Sequence, residues 1–461
     1  METYDVVVLG GGSAGEYAAL LLADGGKRVA VVEERLLGGE CPYFACIPSK
    51  AMLVAAELRH AIRTTALKAG AISRPLALDD NRSAYAAAVA RRDEVSEHHD
   101  DAGEVANLQA KGVRVIKARG HIVGPGLLAA GDEVIGWHDL VIGTGTSFRE
   151  PRIAGIESVD FWTSERFYST NELPASAAVL GGGAVGCEIA QVLNRFGCRV
   201  TLIQHAPRLM AQEEPAVSEV LATALSADGI DLRLGRETER VEAATEGARL
   251  HLDDGATLTV ERLILAIGMQ ANTRNLGLDT VNISPDVRGF LTIDEHCRVS
   301  GQPHVWAGGD VSGIAGFTHM ANYHARAIAA NILGGNVTTD YRAIPRGVYT
   351  DPCVVAVGMT AERARAAGYD VVTATFRLGN TARAFVLGAS AGVLVLVADR
   401  RERVLLGAAA AGPHIEEMLG EATLAIRARI PIDTLVDIVH PFPTYSEAFE
   451  PPLRELLTAM G

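Results

Sequence analysis

Tyr4-Asp-Val-Val-Val-Leu-Gly10-Gly-Gly12-Ser13-Ala14-Gly15 is an apolar, β-branched run that meets a glycine cluster. An Ala- and Leu-rich stretch follows as far as Gly25-Gly26, and a second apolar run, Arg28-Val-Ala-Val-Val, delivers Glu33. Strand, glycine turn, helix and strand in that order predict a parallel βαβ unit. Each glycine has a physical use. Gly10 permits the tight turn, Gly12 lets the backbone approach a pyrophosphate, and Gly15 lets the helix pack on the strand. The helix start, at Ser13 and Ala14, offers free N–H groups and partial positive charge to an anion. Glu33 at the next strand end is placed to accept hydrogen bonds from a ribose diol.

The arrangement returns in Ala178-Val-Leu-Gly181-Gly-Gly183-Ala-Val-Gly186, followed by a helix to about Phe196 and by Arg199-Val-Thr-Leu-Ile-Gln204. One glycine fingerprint recurs by chance. Two, each after a strand and before a helix, point to two dinucleotide-binding units. Leu140-Val-Ile-Gly-Thr144-Gly145 and Leu263-Ile-Leu-Ala-Ile-Gly268 each end a buried strand in glycine and read as domain crossings, and Val305-Trp-Ala-Gly-Gly-Asp310 ends another in a glycine turn and an acid. From about Arg346 the pattern changes to alternating strands with two helices, a separate α+β domain. The expected boundaries are 1–148, with a helical insertion over about 74–119, then 149–270, 271–343 and 344–461.

A chain of 461 residues is too long for one core. Its formal charge of −14 repels a phosphodiester backbone, and no dense Lys/Arg run offsets that locally, which argues against nucleic acid. The acidic start Met-Glu-Thr-Tyr-Asp does not read as a signal peptide, and no apolar stretch approaches a membrane span, so a cytoplasmic protein is expected. Of the 6 cysteines, Cys187, Cys198, Cys297 and Cys353 stand alone and read as small buried apolar residues.

Cys41 and Cys46 differ, because they share the segment Gly38-Gly-Glu-Cys41-Pro-Tyr-Phe-Ala-Cys46-Ile-Pro-Ser-Lys50. On a regular helix their Cα atoms would lie roughly 8 to 9 Å apart and about 140° around the axis, beyond the limit of about 7 Å for a disulfide. A bond between them requires a broken turn, for which Pro42 and Pro48 supply a reason. Cys46 then begins a helix, where a thiolate is stabilised.

The segment resembles the redox motif of the flavoprotein pyridine nucleotide-disulfide oxidoreductases, and the resemblance runs over almost the whole chain. It implies an α/β fold with two Rossmann-like domains, for FAD and NAD(P), and a C-terminal α+β dimerisation domain. It implies further that Gly10, Gly12, Ser13, Ala14, Gly15, Glu33, Gly120, Thr144, Gly145, Asp310 and Thr318 contact FAD, and that Gly181, Gly183, Gly186 and Gly268 serve the nicotinamide dinucleotide. By the same resemblance Cys41 and Cys46 form a redox-active disulfide, Cys46 being the charge-transfer thiolate and Cys41 the interchange sulfur. Lys50 stands for the lysine beside the flavin and Glu188 for its ion-pair partner. Gln204 is neutral where a carboxylate favours an unphosphorylated ribose, and His205 and Arg208 follow it, which points to NADPH over NADH; Arg208 reads equally as a solvated surface charge.

The departure is at His440-Pro-Phe442-Pro-Thr444-Tyr-Ser-Glu447, where the family frame is kept but Phe442 replaces the histidine that moves protons at the interchange thiol, a loss of about 10² to 10⁴ in rate. His440, Tyr445 and Glu447 are the available substitutes. The expected activity is transfer of hydride from NAD(P)H through FAD to a disulfide, quinone or metal-ion acceptor, in a homodimer completed by the tail domain, with no metal held by the protein. The tail Leu-Thr-Ala-Met460-Gly without a cysteine pair, and a start without a metal-binding extension, make a mercuric reductase the less expected member. Phe442 and the Cys-Pro start also resemble the 2-ketopropyl-coenzyme M oxidoreductase/carboxylase branch, although that branch has His where this chain has Glu447. A non-catalytic, flavin-stabilised interaction subunit is the remaining reading.

Overall fold

The computed structural model describes residues 1–388 and 391–461, which cluster into two compact units. The first comprises Met1–Pro48, Asp93–Glu150 and Gly268–Asp340, and the second Ser49–Arg92, Pro151–Ile267 and Tyr341–Gly461.

In the first unit, strand Thr3–Leu9 pairs in parallel with Val29–Glu33 on one side and with Glu133–Ile142 on the other. Arg114–Lys117 and Val305–Ala307 extend this parallel core at its two sides. Strands Gly120–Gly124 and Leu127–Ala130 add an antiparallel meander to Glu133–Ile142. Val6, Val7 and Val8 are wholly buried: Val6 and Val8 pack on helix residues such as Ala18, Leu22 and Ile328, and Val7 packs with meander residues such as Ile122 and Leu128 and with Leu276 and Leu291. The expected helical insertion is corrected here. Helices Asn81–Val95 and Ala102–Ala110 are present, but the stretch ends in strand Arg114–Lys117. Its β-branched Val115 and Ile116 lie in the strand that completes the sheet beside Val29–Glu33.

The second unit holds an all-parallel sheet in the order Asp231–Leu234, Arg199–Gln204, Ser176–Leu180, Arg262–Leu265, Phe161–Trp162. Its helix Ala184–Arg195 is buried along most of its length. The tail forms a five-stranded antiparallel sheet, ordered Pro345–Val348, Cys353–Gly358, Val404–Gly412, Val393–Asp399, Val371–Arg377. The two expected helices are Ile415–Ala428 and Glu450–Met460, and three shorter ones accompany them among the described residues: Ala361–Ala366, Ala382–Leu387 and Ile432–Leu435. Among the described residues no helix is long and apolar enough to cross a membrane.

Candidate active site

The two glycine turns are built alike. A Cβ at Gly15 would fall 1.9 Å from the Gly10 carbonyl oxygen, and one at Gly186 would fall 1.8 Å from that of Gly181, so neither helix could start where it does with a larger residue. Gly10 and Gly181 have φ of +96° and +113°, and a Cβ there would meet the Gly143 and Ala266 carbonyls. The middle glycines are different. At Gly183 a Cβ meets nothing within 4 Å, and at Gly12 nothing closer than 3.8 Å. Packing therefore does not require glycine at the middle position, and the open space before each helix N-terminus fits a pyrophosphate.

Glu33 Oε2 accepts from Gly11 N–H at 2.7 Å, and Gln204 Oε1 accepts from Gly182 N–H at 3.1 Å, the same frame with and without charge. His205 is exposed. Arg208 is half-buried rather than a free surface charge, with one guanidinium nitrogen engaged by its own loop. Its guanidinium donates to the Ala211 and Glu213 carbonyls at 2.7 and 3.0 Å.

Further along the first unit, Thr144 Oγ1 donates to the Asn272 carbonyl, and Gly145 and Gly268 adopt φ of +65° and +106° with open space where a Cβ would stand. Gly120 is buried in its strand, and a Cβ there would press on Leu9 and Val32. Asp310 lies in the short turn Gly309–Ser312, and burial raises its carboxyl above the usual range. Thr146 Oγ1 donates to its Oδ2 at 3.1 Å. Its other oxygen has no hydrogen bond from the described residues, which suits a ligand hydroxyl. These groups fit a dinucleotide with a polyol arm, such as FAD.

The segment from Gly38 to Lys50 is irregular as its prolines require. A single helical turn, Glu40–Tyr43, ends at Phe44, and the long helix Cys46–Arg63 starts afresh at the second cysteine. The Cys41 thiol interacts with that of Cys46. That contact, with burial, holds Cys41 well above the usual thiol range. Thr318 Oγ1, at the first residue of helix Thr318–Ile332, lies 3.6 Å from Cys46 Sγ.

In the second unit, Lys50 Nζ sits 3.0 Å from both oxygens of Glu188 and 4.5 Å above the centre of the Tyr349 ring. Tyr349 N–H donates to Glu188 Oε1 at 2.9 Å. The ammonium is thus held by a buried carboxylate that a backbone amide fixes in turn. Tyr349 and Thr146 carry no motif, and only the fold reveals them.

In the tail, Phe442 is 76% exposed. Glu447 Oε1 accepts from Ala382 N–H at 2.9 Å at the start of helix Ala382–Leu387. His440 Nε2 lies 2.9 and 3.1 Å from the two Glu421 oxygens with the ring almost wholly buried, and the Tyr445 hydroxyl is buried as well.

Residues 4–326 match the family described as pyridine nucleotide-disulphide oxidoreductase, and residues 344–452 match its dimerisation domain. A dihydrolipoyl dehydrogenase of Thermus scotoductus is 32% identical over 455 residues, covering 97% of this chain and 96% of that protein. A mercuric reductase of Streptomyces lividans is 31% identical over 456 residues, covering 97% of this chain and 95% of that one. The solved Cu(II) complex of the HOCl-induced flavoprotein disulfide reductase RclA from Escherichia coli aligns with a TM-score of 0.86 at 27% identity, covering 100% of both chains.

Proposed function

Since the chain belongs to the FAD-dependent pyridine nucleotide-disulphide oxidoreductases, we propose that it oxidises NADPH and delivers the electrons through a Cys41/Cys46 couple to a metal ion or quinone. The observation that carries the couple is the interaction of the Cys41 thiol with that of Cys46 where helix Cys46–Arg63 begins. Bound FAD would supply two-electron redox chemistry between the coenzyme and the cysteines.

In the oxidised state the two sulfurs share a bond. Two electrons and two protons, from NADPH and one solvent proton, convert that bond into two thiols. The helix start lowers the cost of negative charge on Cys46, and the Thr318 hydroxyl is within reach of that sulfur. Reoxidation by two one-electron metal ions re-forms the S–S bond and releases two protons to water. Reoxidation by a quinone instead places both protons on the hydroquinone. Lys50, kept in place by Glu188 and Tyr349, supplies a positive charge one helical turn after Cys46.

The acceptor class follows from the tail. A dithiol–disulfide exchange needs a positioned proton carrier at the interchange thiol. Phe442 cannot be one, Glu447 is bonded to Ala382, and His440 is buried against Glu421. Metal ions and quinones make the least demand for such a group, and the resemblance to a mercuric reductase and to a Cu(II)-complexed reductase supports the metal branch. NADPH is preferred because Gln204 presents no carboxylate; Arg208 lends no support. The dimerisation domain supports a homodimer.

Steady-state oxidation of NADPH and NADH with Cu(II), Hg(II), a quinone and lipoamide tests the reading. Turnover with lipoamide faster than with any metal or quinone would overturn the acceptor assignment.

A further inference from the structure

His324 lies in the middle of helix Thr318–Ile332 and is wholly buried. A buried imidazole without partners is costly, so its bonding is informative. Its Nδ1 accepts the N–H of Gly309 at 3.1 Å. Gly309 has φ of +74°, and an added Cβ would fall 3.2 Å from Ala14 Cβ, so the residue is pressed against the start of the first glycine-turn helix. The turn is closed from the other side as well. Ser312 Oγ donates to the Gly309 carbonyl at 2.8 Å, and Gly313 N–H donates to the Asp310 carbonyl at 2.9 Å. Burial pushes the His324 pKa down to about 4, and an Nδ1 that accepts places the ring proton on Nε2.

A backbone N–H in a buried left-handed turn needs an acceptor. The helix behind it has none to give, because its own carbonyls are bonded along its axis. A leucine would fill the same volume and leave Gly309 N–H orphaned. We infer that His324 is the positioning residue of the Asp310 turn: by accepting the Gly309 N–H it holds Gly309 against Ala14, sets the backbone that carries the Asp310 carboxylate, and so sets the affinity of the first dinucleotide site. The inference rests on the reading that FAD occupies that site.

The test replaces His324 by Leu, Asn and Gln. Asparagine places its Oδ1 on Cγ, where Nδ1 stands in histidine, whereas the glutamine carbonyl lies one bond further out. Apoprotein of each variant is titrated with FAD by flavin fluorescence, and amide exchange of the peptide spanning 305–317 is followed in the FAD-free proteins. His324→Leu and His324→Gln are expected to weaken FAD binding by about tenfold or more and to raise exchange at Gly309, while His324→Asn stays within about threefold of the parent. Three variants that all bind like the parent, or an asparagine variant impaired as much as leucine, would overturn the inference. If the leucine protein does not fold, the Asn/Gln pair decides alone. A parent protein that does not bind FAD would instead sink the underlying reading, which keeps the two failures apart.

Discussion

Glu447 is a helix cap: its carboxylate accepts the Ala382 N–H at 2.9 Å, next to the Thr381 hydroxyl that accepts from Ala384. In the frame that the sequence resembles, this glutamate would orient the imidazole at the position of Phe442. Here it secures helix Ala382–Leu387 to the segment that follows the missing histidine.

Restoring that histidine is therefore not expected to restore the chemistry. Phe442→His introduces an imidazole without its orienting carboxylate, so lipoamide reduction should rise by no more than about tenfold, short of the 10² to 10⁴ available to a positioned acid-base group. Steady-state kinetics of parent and variant check this. A gain of about a thousandfold would show that Glu447 leaves Ala382 readily.

Gly183→Ala and Gly15→Ala should separate binding from folding. The methyl at residue 183 enters open space, so the variant should fold, keep FAD and lose NADPH affinity by about tenfold or more. The methyl at residue 15 collides with the Gly10 carbonyl and should prevent a stable fold. Thermal denaturation and coenzyme titration read the two outcomes, and unchanged NADPH affinity in Gly183→Ala would refute the phosphate assignment.

Reduced Cys41 should alkylate slowly at pH 8, because the Cys46 thiol first and burial second hold it protonated above the usual thiol range. Cys46→Ser removes the leading cause, and iodoacetamide should then label Cys41 faster, by about tenfold for each pKa unit regained. Equal rates would mean that the two sulfurs do not interact.

Gln204→Glu should move the ratio of kcat/KM values toward NADH by about tenfold, ~1.4 kcal/mol, since one oxygen can keep the Gly182 N–H while the other repels a 2′-phosphate. Arg208→Ala should leave the ratio where it was, because that guanidinium is tied to loop carbonyls. The opposite pattern would place coenzyme choice on Arg208.

Acid should act through His324. Its pKa falls from 6.5 to about 4 on folding, so the unfolded chain binds the extra proton between those values. Its contribution is complete above pH 6.5 and declines by about 3 kcal/mol as pH falls toward 4. His324→Asn, which does not titrate, should flatten the stability profile in that window, as measured by urea denaturation. A parallel profile would mean that other groups govern acid sensitivity.

Both nucleotide units were legible because strand-glycine-helix patterns are local: the residues that build each turn lie within a few positions of one another. The start of a helix at Cys46 was legible for the same reason. What escaped is non-local. Arg114–Lys117 is too short to outweigh the helical run before it, and becomes a strand only because Val29–Glu33 offers an edge. The true partners of Arg208 and Glu447, and the contacts of His324 with Gly309 and of Tyr349 with Glu188, join residues whose spacing carries no signature. A lone histidine in a helix reads as core until the amide it accepts can be seen.

The one-charge difference between the twin turns bears on residence time. A carboxylate at Glu33 makes charge-assisted hydrogen bonds roughly twice as strong as those of a neutral amide such as Gln204. Under the proposed assignment of FAD to the first turn and the nicotinamide coenzyme to the second, the stronger acceptor serves the molecule that stays through many cycles. The weaker one serves the molecule that must leave in every cycle, so a single oxygen-for-nitrogen exchange in one architecture distinguishes a resident from a visitor.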